Sequence, residues 1–308
     1  MVMTRVVSNR INSRNEPTAK PLPKWLVKKA HNMQAYTKME ALCRKYDIHT
    51  VCEEAQCPNQ GECFENGTAT FMILGDICTR NCRFCAVKHG IPEHPDLNEP
   101  KNVAMATKQL GLRHVVITSV TRDDLRDGGA EHYVKTIQAV RLLNPQTTIE
   151  VLIPDFQANQ RSIRSVVSAS PDIINHNLET VPALYKEVRP QANYLVSLEL
   201  LRRVKALNDS ILTKSGLMLG LGEKWEQVIR VMGDLREVKC DILTLGQYLR
   251  PSPNHVRIKE YVSPERFDEY KRIGEELGFK YVASGPYVRS SFNATNIAES
   301  LVVRVAKD

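Results

Sequence analysis

The chain has 308 residues, 42% hydrophobic and 25% charged, with a formal net charge of +7. This ordinary globular composition buries a substantial core in one or two domains, and no apolar run nears the roughly 18 residues of a membrane span, so a soluble protein with no membrane partner is expected. Arg5, Arg10, Arg14, Lys20, Lys24, Lys28 and Lys29 face only Glu16 over residues 1–30, so the rest is nearly neutral and a basic nucleic-acid groove is not indicated.

Residues 1–30 therefore form a basic arm. It has no apolar segment of the kind a secretory signal needs. Its first fifteen residues contain Arg and Ser and no acid, as in a mitochondrial transit peptide, but Pro17, Pro21 and Pro23 break any amphipathic helix soon after. A cytoplasmic protein is expected, with the mitochondrion as the minority alternative. The arm itself is a solvated, partly disordered tail, or a flexible arm that docks on an acidic partner.

Residues 31–68 precede the first strand and carry Cys52, Cys57 and Cys63 in the spacing C-x4-C-x5-C. Six of the eight cysteines lie between Cys52 and Cys85, and without an export signal that clustering points to metal rather than disulfides. Cys43, in a helix-like stretch, has no assigned role. Cys240, bordering a strand, reads as a small buried hydrophobe.

From residue 69, short apolar runs alternate with segments of helical period. The runs are Phe71–Leu74, Val115–Ile117, Glu150–Ile153, Ile173–Ile174, Leu217–Leu219 and Ile242–Leu245. Their brevity and aliphatic content predict buried parallel strands. One intervening segment places Trp225, Val228, Ile229, Met232 and Leu235 on one helical face, and a later one does so with Phe267, Tyr270, Ile273 and Leu277. Six such units, with a short strand near Lys280–Val282, predict an α/β fold built as a partial (β/α)6 barrel over residues 69–285. Residues 286–308 follow as a C-terminal extension.

Directly after the first strand stands Cys78-Thr79-Arg80-Asn81-Cys82-Arg83-Phe84-Cys85, on the loop where barrel enzymes place their active sites. Three thiolates on one loop suit three irons of a [4Fe–4S] cube and leave the fourth iron open for chemistry. Structural zinc, with His89 as a fourth ligand, is the plain alternative. At the fifth strand, Gly216-Leu217-Met218-Leu219-Gly220-Leu221-Gly222-Glu223 permits close backbone approach to a flat ligand, or is a strand-to-helix turn with Glu223 in the first helical turn. Asn175, ending the fourth strand, is either a cofactor contact or a satisfied turn residue. His176 reads as a hydrogen-bonded structural histidine.

The cysteine loop, with Phe84 before its last thiol, resembles the signature of the radical S-adenosylmethionine superfamily, and Gly216, Gly220 and Glu223 resemble its adenine-side G-x-I-x-G-x-x-E pattern. Within that superfamily the chain resembles the lipoyl synthases from Lys24 to Ala294. The resemblance is carried by the C-x4-C-x5-C set, by Glu53-Ala55-Cys57-Pro58-Asn59, by Gly75-Asp76-Cys78-Thr79-Arg80, by Ser119–Ala130, and by Arg289-Ser290-Ser291-Phe292. The last is similar to an R-S-S-Y motif, with Phe292 in place of the tyrosine. The resemblance implies one cluster on Cys78, Cys82 and Cys85 that cleaves S-adenosylmethionine, and a second on Cys52, Cys57, Cys63 and Ser291, with Ser290 as the fallback ligand. It further implies that Asn175, Gly216, Gly220 and Glu223 contact S-adenosylmethionine, and that two sulfur atoms from the second cluster enter an octanoyl chain on a lysine of a carrier domain. An electron donor and an iron–sulfur carrier that rebuilds the consumed cluster are the further implied partners. A methylthiotransferase is the nearer rival, although no nucleic-acid-binding domain is visible. A zinc-binding interaction protein is the farther one.

Overall fold

The computed structural model describes residues 22–27, 33–55, 57, 59–65 and 69–302; all of the basic arm except residues 22–27 lies outside them. Before the barrel come α1 (Met33–Tyr46), β1 (His49–Thr50), α2 (Val51–Glu54) and α3 (Gln60–Glu65). The barrel opens with β2 (Thr70–Ile73), followed by β3 (Ile77–Cys78), β4 (Lys88–His89), α4 (Glu99–Leu110), β5 (His114–Ser119), α5 (Ala130–Leu143) and β6 (Thr148–Leu152). Next are α6 (Gln160–Ser168), β7 (Ile173–Asn175), α7 (Tyr185–Val188), α8 (Tyr194–Leu207) and β8 (Leu212–Leu219). The chain continues through α9 (Trp225–Glu237), β9 (Ile242–Gln247), α10 (Pro264–Glu276), β10 (Tyr281–Gly285) and α11 (Ala294–Leu301).

Strand order β1-β2-β5-β6-β7-β8-β9-β10 follows the chain, except for the small β3-β4 pair. All neighbours from β2 to β10 are parallel, and β1 is an antiparallel edge, with His49 opposite Met72. Six helical crossovers thus join seven parallel strands, the partial barrel expected from the alternation of runs. Three of the barrel helices start where polar side chains satisfy free N–H groups. Asn159 caps α6, Asn193 caps α8, and Ser263 with Pro264 opens α10. Helix α9 buries Val228, Val231, Met232 and Leu235 completely; each such burial is worth about 1.5–3 kcal/mol. Leu277, expected on the apolar face of α10, is instead its C-terminal cap and is exposed, because the helix ends one residue before it.

Side chains alternate along each strand. On β6, Ile149 and Val151 join the core beneath the helices, while Glu150 faces inward and meets Lys214 Nζ at 2.9 Å. Both charges are wholly buried, and His114 Nε2 lies 3.5 Å from the same carboxylate. This pair explains why β8 begins at Leu212, five residues before the expected run. Thr213, Lys214 and Ser215 are polar yet buried, so hydropathy alone hid them. Below this layer Ile173, Leu212 and Ile242, the first residues of their strands, pack with Ile297 and Ala298 of α11. Helix α11 therefore closes the end of the barrel opposite the cysteine loop. No helix among the described residues is long and apolar enough to cross a membrane.

Burial pushes the Glu150 carboxyl up, but the Lys214 charge and the His114 contact outweigh it and hold it at about 2. A carboxyl depressed in the folded state adds stability that is full above its ordinary value and lost as pH falls toward the depressed one. Lys214→Met, which strands the buried carboxylate, is expected to cost about 3–5 kcal/mol in urea denaturation of the reduced apoprotein. The deficit should be largest near neutral pH and shrink as pH falls, because burial without Lys214 favours the protonated carboxyl, and adding Glu150→Gln should recover much of the loss.

Candidate active site

At the end of β2, Leu74 turns the chain with a φ of 70°. Its backbone is held from both sides: its N–H donates to Glu99 Oε2 at 2.7 Å, and its carbonyl accepts from Arg122 Nη1 at 3.2 Å. The cysteine loop follows. Cys78 lies on β3 opposite His89 of β4, and Cys85 N–H donates to the Cys82 carbonyl at 3.0 Å. His89 is exposed.

One flank of the loop is stitched to residues 121–123. Thr79 donates twice to the Thr121 carbonyl, from N at 3.0 Å and Oγ1 at 2.9 Å, and its Oγ1 accepts from Asp123 N–H at 3.0 Å. The other flank is held by later loops. Arg83 N–H donates to the Val188 carbonyl at 3.0 Å, Val256 N–H donates to the Arg83 carbonyl at 2.9 Å, and His255 Nε2 lies 2.9 Å from the Cys85 carbonyl.

The Arg80 side chain is the deepest anchor. Its guanidinium is buried and grips Asp123 through Nε at 2.6 Å and Nη2 at 2.9 Å. On its other edge it grips Asp155 through Nη1 and Nη2, both at 2.7 Å. Burial pushes the Asp155 carboxyl up, but Arg80's hydrogen bonds and charge prevail and hold it at about 2.

The thiols sit in unequal surroundings. Cys78 Sγ receives two backbone N–H groups, from Arg80 at 3.4 Å and Thr121 at 3.3 Å. Burial raises the Cys82 thiol, opposed by the nearby Arg189 charge, and raises Cys85 to about 12, opposed by the Val87 N–H. Sulfurs buried this way ionise readily only beside a soft cation, so the donor set fits an iron–sulfur group. Among the described residues no three His, Cys, Asp or Glu side chains converge on a single ion's position. Thiolates around a cube stand further apart than ligands of one ion.

The N-terminal thiols also lie within one another's electrostatic reach: burial raises Cys52, and the Cys57 and Cys63 sulfurs add to it. Asn59 Nδ2 donates to the Tyr287 carbonyl at 2.7 Å, joining this segment to a loop 228 residues away. Two residues further on, Arg289 is disfavoured as a cation by burial and favoured by Cys57. Ser290 and Ser291 follow on the same loop, half-buried, and the Ser291 carbonyl accepts from Ala294 N–H at 3.3 Å at the start of α11.

The residues expected to touch a cofactor divide into two groups. Gly216 and Asn175 face the lumen. A side chain at Gly216 would collide with Thr244 and press on Asn177. Asn175 Nδ2 donates to Glu150 at 3.2 Å, while its buried Oδ1 has no partner. Gly220 and Glu223 shape the turn after β8. Gly220 has a φ of 97° and lies against Gln247 and the Glu260 carbonyl. Glu223 precedes α9 rather than entering its first turn, because its carboxylate folds back to accept the Gly220 and Leu221 N–H groups, at 2.5 and 2.9 Å. His176 bridges the Ile153 carbonyl at 2.8 Å and Ser197 Oγ at 2.9 Å, and burial lowers it to about 4, so it is a neutral structural residue.

Sequence reasoning missed three polar residues, two of which, Arg189 and Glu179, act electrostatically on Cys82. Arg189 is buried, with Nη1 on the Asn177 and Leu178 carbonyls at 2.9 and 3.2 Å and with Nε unpartnered. Glu179, with a φ of 65°, has its carboxyl raised by burial against the pull of Arg189. Asn177 Oδ1 is buried without a partner. The run Asn175-His176-Asn177-Leu178-Glu179, dense in polar groups straight after a strand, was the available signal.

The profile of the Radical SAM superfamily matches residues 72–235. The lipoyl synthase of Caldanaerobacter subterraneus subsp. tengcongensis is 58% identical over 272 residues, which is 88% of this chain and 95% of that protein. The mitochondrial lipoyl synthase of Nematostella vectensis is 51% identical over 93% of this chain and 98% of its own. Among solved structures, methylornithine synthase superposes with a TM-score of 0.53 at 14% identity, covering 70% of this chain and 71% of its own. Streptococcus suis SuiB bound to its precursor peptide gives 0.55 at 14%, covering 89% and 58%. These two likenesses concern the fold.

Gly220→Ala places a side chain in a left-handed turn already filled by Gln247 and Glu260. It is expected to lower stability by about 1–3 kcal/mol, read as a fall in thermal midpoint.

Proposed function

The chain belongs to the radical S-adenosylmethionine superfamily and, within it, to the lipoyl synthases, and from that premise we propose how its residues divide the work. Its reaction is the insertion of two sulfur atoms into an octanoyl chain borne on a lysine of a carrier domain, giving the lipoyl group. Membership implies a [4Fe–4S] cluster and S-adenosylmethionine. We assign that cluster to Cys78, Cys82 and Cys85, and a second to Cys52, Cys57, Cys63 and Ser291. When bound, the first supplies the electron that cleaves S-adenosylmethionine, and the second supplies the sulfur.

The observation that carries this reading is the meeting of the N-terminal thiol segment with the C-terminal serine loop, through Asn59 and Tyr287. No local folding rule requires residues so far apart in sequence to touch; two halves of one ligand set do. At the barrel mouth, Arg189 and Glu179 supply a cation and a carboxylate within electrostatic reach of Cys82, and Asn177, whose carbonyl accepts from Arg189, supplies an unpartnered amide oxygen, a set suited to the charged amino-acid end of S-adenosylmethionine. Gly216 and the Gly220–Glu223 turn form a wall for its flat adenine, and Asn175 offers its unpartnered oxygen deeper in the lumen. An electron donor and an iron–sulfur carrier complete the proposed partners. The proposed location is the cytoplasm; the Nematostella relative is mitochondrial by name.

Anaerobic iron and sulfide analysis, with mass spectrometry of an octanoyl-lysine peptide given S-adenosylmethionine and reductant, tests this division. About eight irons per chain and a peptide that gains two sulfurs are expected. Cys57→Ala should keep reductive S-adenosylmethionine cleavage and lose sulfur insertion, whereas Cys82→Ala should lose both. Eight irons with an unaltered peptide would sink the substrate assignment, and zinc in place of iron would sink the cluster assignment.

A further inference from the structure

Of the three thiols on the barrel loop, Cys78 has a surrounding that nothing in the ligand assignment requires. Two backbone N–H groups point at its sulfur, from Arg80 at 3.4 Å and Thr121 at 3.3 Å. Neither donor is free to drift. The Arg80 backbone is fixed by its own side chain, which is locked by four hydrogen bonds to Asp123 and Asp155. Thr121 is fixed by the paired bonds of Thr79 to its carbonyl, and Thr79 Oγ1 in turn accepts from Asp123 N–H. Asp123 thus belongs to both supports. Hydrogen bonds to cluster sulfurs are among the determinants of iron–sulfur reduction potential, since they stabilise the more negative, reduced state.

We propose that the Arg80–Asp123–Asp155 clamp and the Thr79–Thr121 stitch are a positioning device that aims two N–H groups at Cys78 and so raises the reduction potential of the cluster on this loop. Arg80, Asp123 and Asp155 act through the backbone, not by touching substrate. The proposal rests on the assignment of a cluster to Cys78, Cys82 and Cys85.

The sign of the effect separates this role from simple charge. The clamp is one cation between two carboxylates, a net negative group. Asp155→Asn removes a negative charge, which acting through space would make the cluster easier to reduce. If the clamp acts by aiming N–H groups, the same substitution loosens Arg80 and makes the cluster harder to reduce. Thr79→Val removes the Oγ1 half of the stitch, its bond to the Thr121 carbonyl and its acceptor for Asp123 N–H, leaves the backbone bond in place and changes no charge, so only the aiming mechanism predicts a shift there.

The test uses the full chain, reconstituted without air, with Cys52, Cys57 and Cys63 all replaced by alanine so that one cluster is observed. The parent should hold about four irons, and its midpoint is read by a redox titration followed by electron paramagnetic resonance, without S-adenosylmethionine. Asp155→Asn and Thr79→Val are both expected to keep their iron and to shift the midpoint to more negative values. A midpoint that is unchanged or higher in both overturns the proposal. Should Asp155→Asn fail to hold iron, Thr79→Val decides alone; loss of iron from both makes the clamp a scaffold and overturns its tuning role. A parent chain that binds no iron removes the cluster assignment and this proposal together.

Discussion

Taking a guanidinium out of water costs several kcal/mol unless its N–H groups are met, and Arg80 meets that condition only if two separate strand ends arrive correctly. Asp123 comes from the loop after β5, and Asp155 from the loop after β6. Their approach depends on the β5–β6 register, in which Thr118 stands opposite Leu152. The residues after Asp155 bear a further cost: Phe156, Gln157 and Ala158 all have left-handed φ values, 48°, 49° and 62°, each worth about 1–3 kcal/mol of strain. Asp155 holds this segment as well, accepting from Gln157 N–H at 2.9 Å. A single carboxylate thus ties strained backbone, barrel rim and cysteine loop together.

Beneath the mouth, the lumen changes character in layers. Thr244, Asn177 and the bare Cα of Gly216 lie nearest the loops, the Glu150–Lys214 pair lies in the middle, and aliphatic side chains sealed by α11 lie at the bottom. The middle layer is no place for bulk water, because both charges are already satisfied by each other. Among the described residues, the buried polar atoms without partners include Asn175 Oδ1 at the end of β7, Asn177 Oδ1 just after it and Arg189 Nε at the end of α7.

Much of this was legible from the chain. The aliphatic runs located six strands because buried parallel strands leave a continuous apolar trace, and the cysteine spacings were visible as spacings. Lys214 shows where that legibility ends: a lysine inside a strand reads as exposed unless its distant partner, Glu150, is known. Gln247 is similar. It lies buried at the end of β9, donates to the Leu219, Tyr248 and Glu260 carbonyls and accepts from Val262 N–H, yet nothing in its neighbourhood marks it as a keystone. Glu223 could be placed near a turn but not aimed, since its choice of Gly220 and Leu221 over the first helical turn depends on backbone geometry that no pattern encodes. Asn59 and Tyr287 are the extreme case, joined by a contact that spans most of the chain.

That last contact has a bearing on biogenesis. A ribosome has synthesised the barrel loop with its three thiols when less than a third of the chain has been made, and the segments that shelter it follow over the next crossovers. The Cys52–Cys63 segment emerges even earlier, yet its C-terminal neighbours, Tyr287 and Arg289, are translated almost last. Thiols synthesised first must therefore wait longest for their surroundings, which leaves the N-terminal set open to oxidation or mispairing throughout translation. Translation thus completes the surroundings of the barrel loop, with His255 and Val256, before those of the Cys52–Cys63 segment.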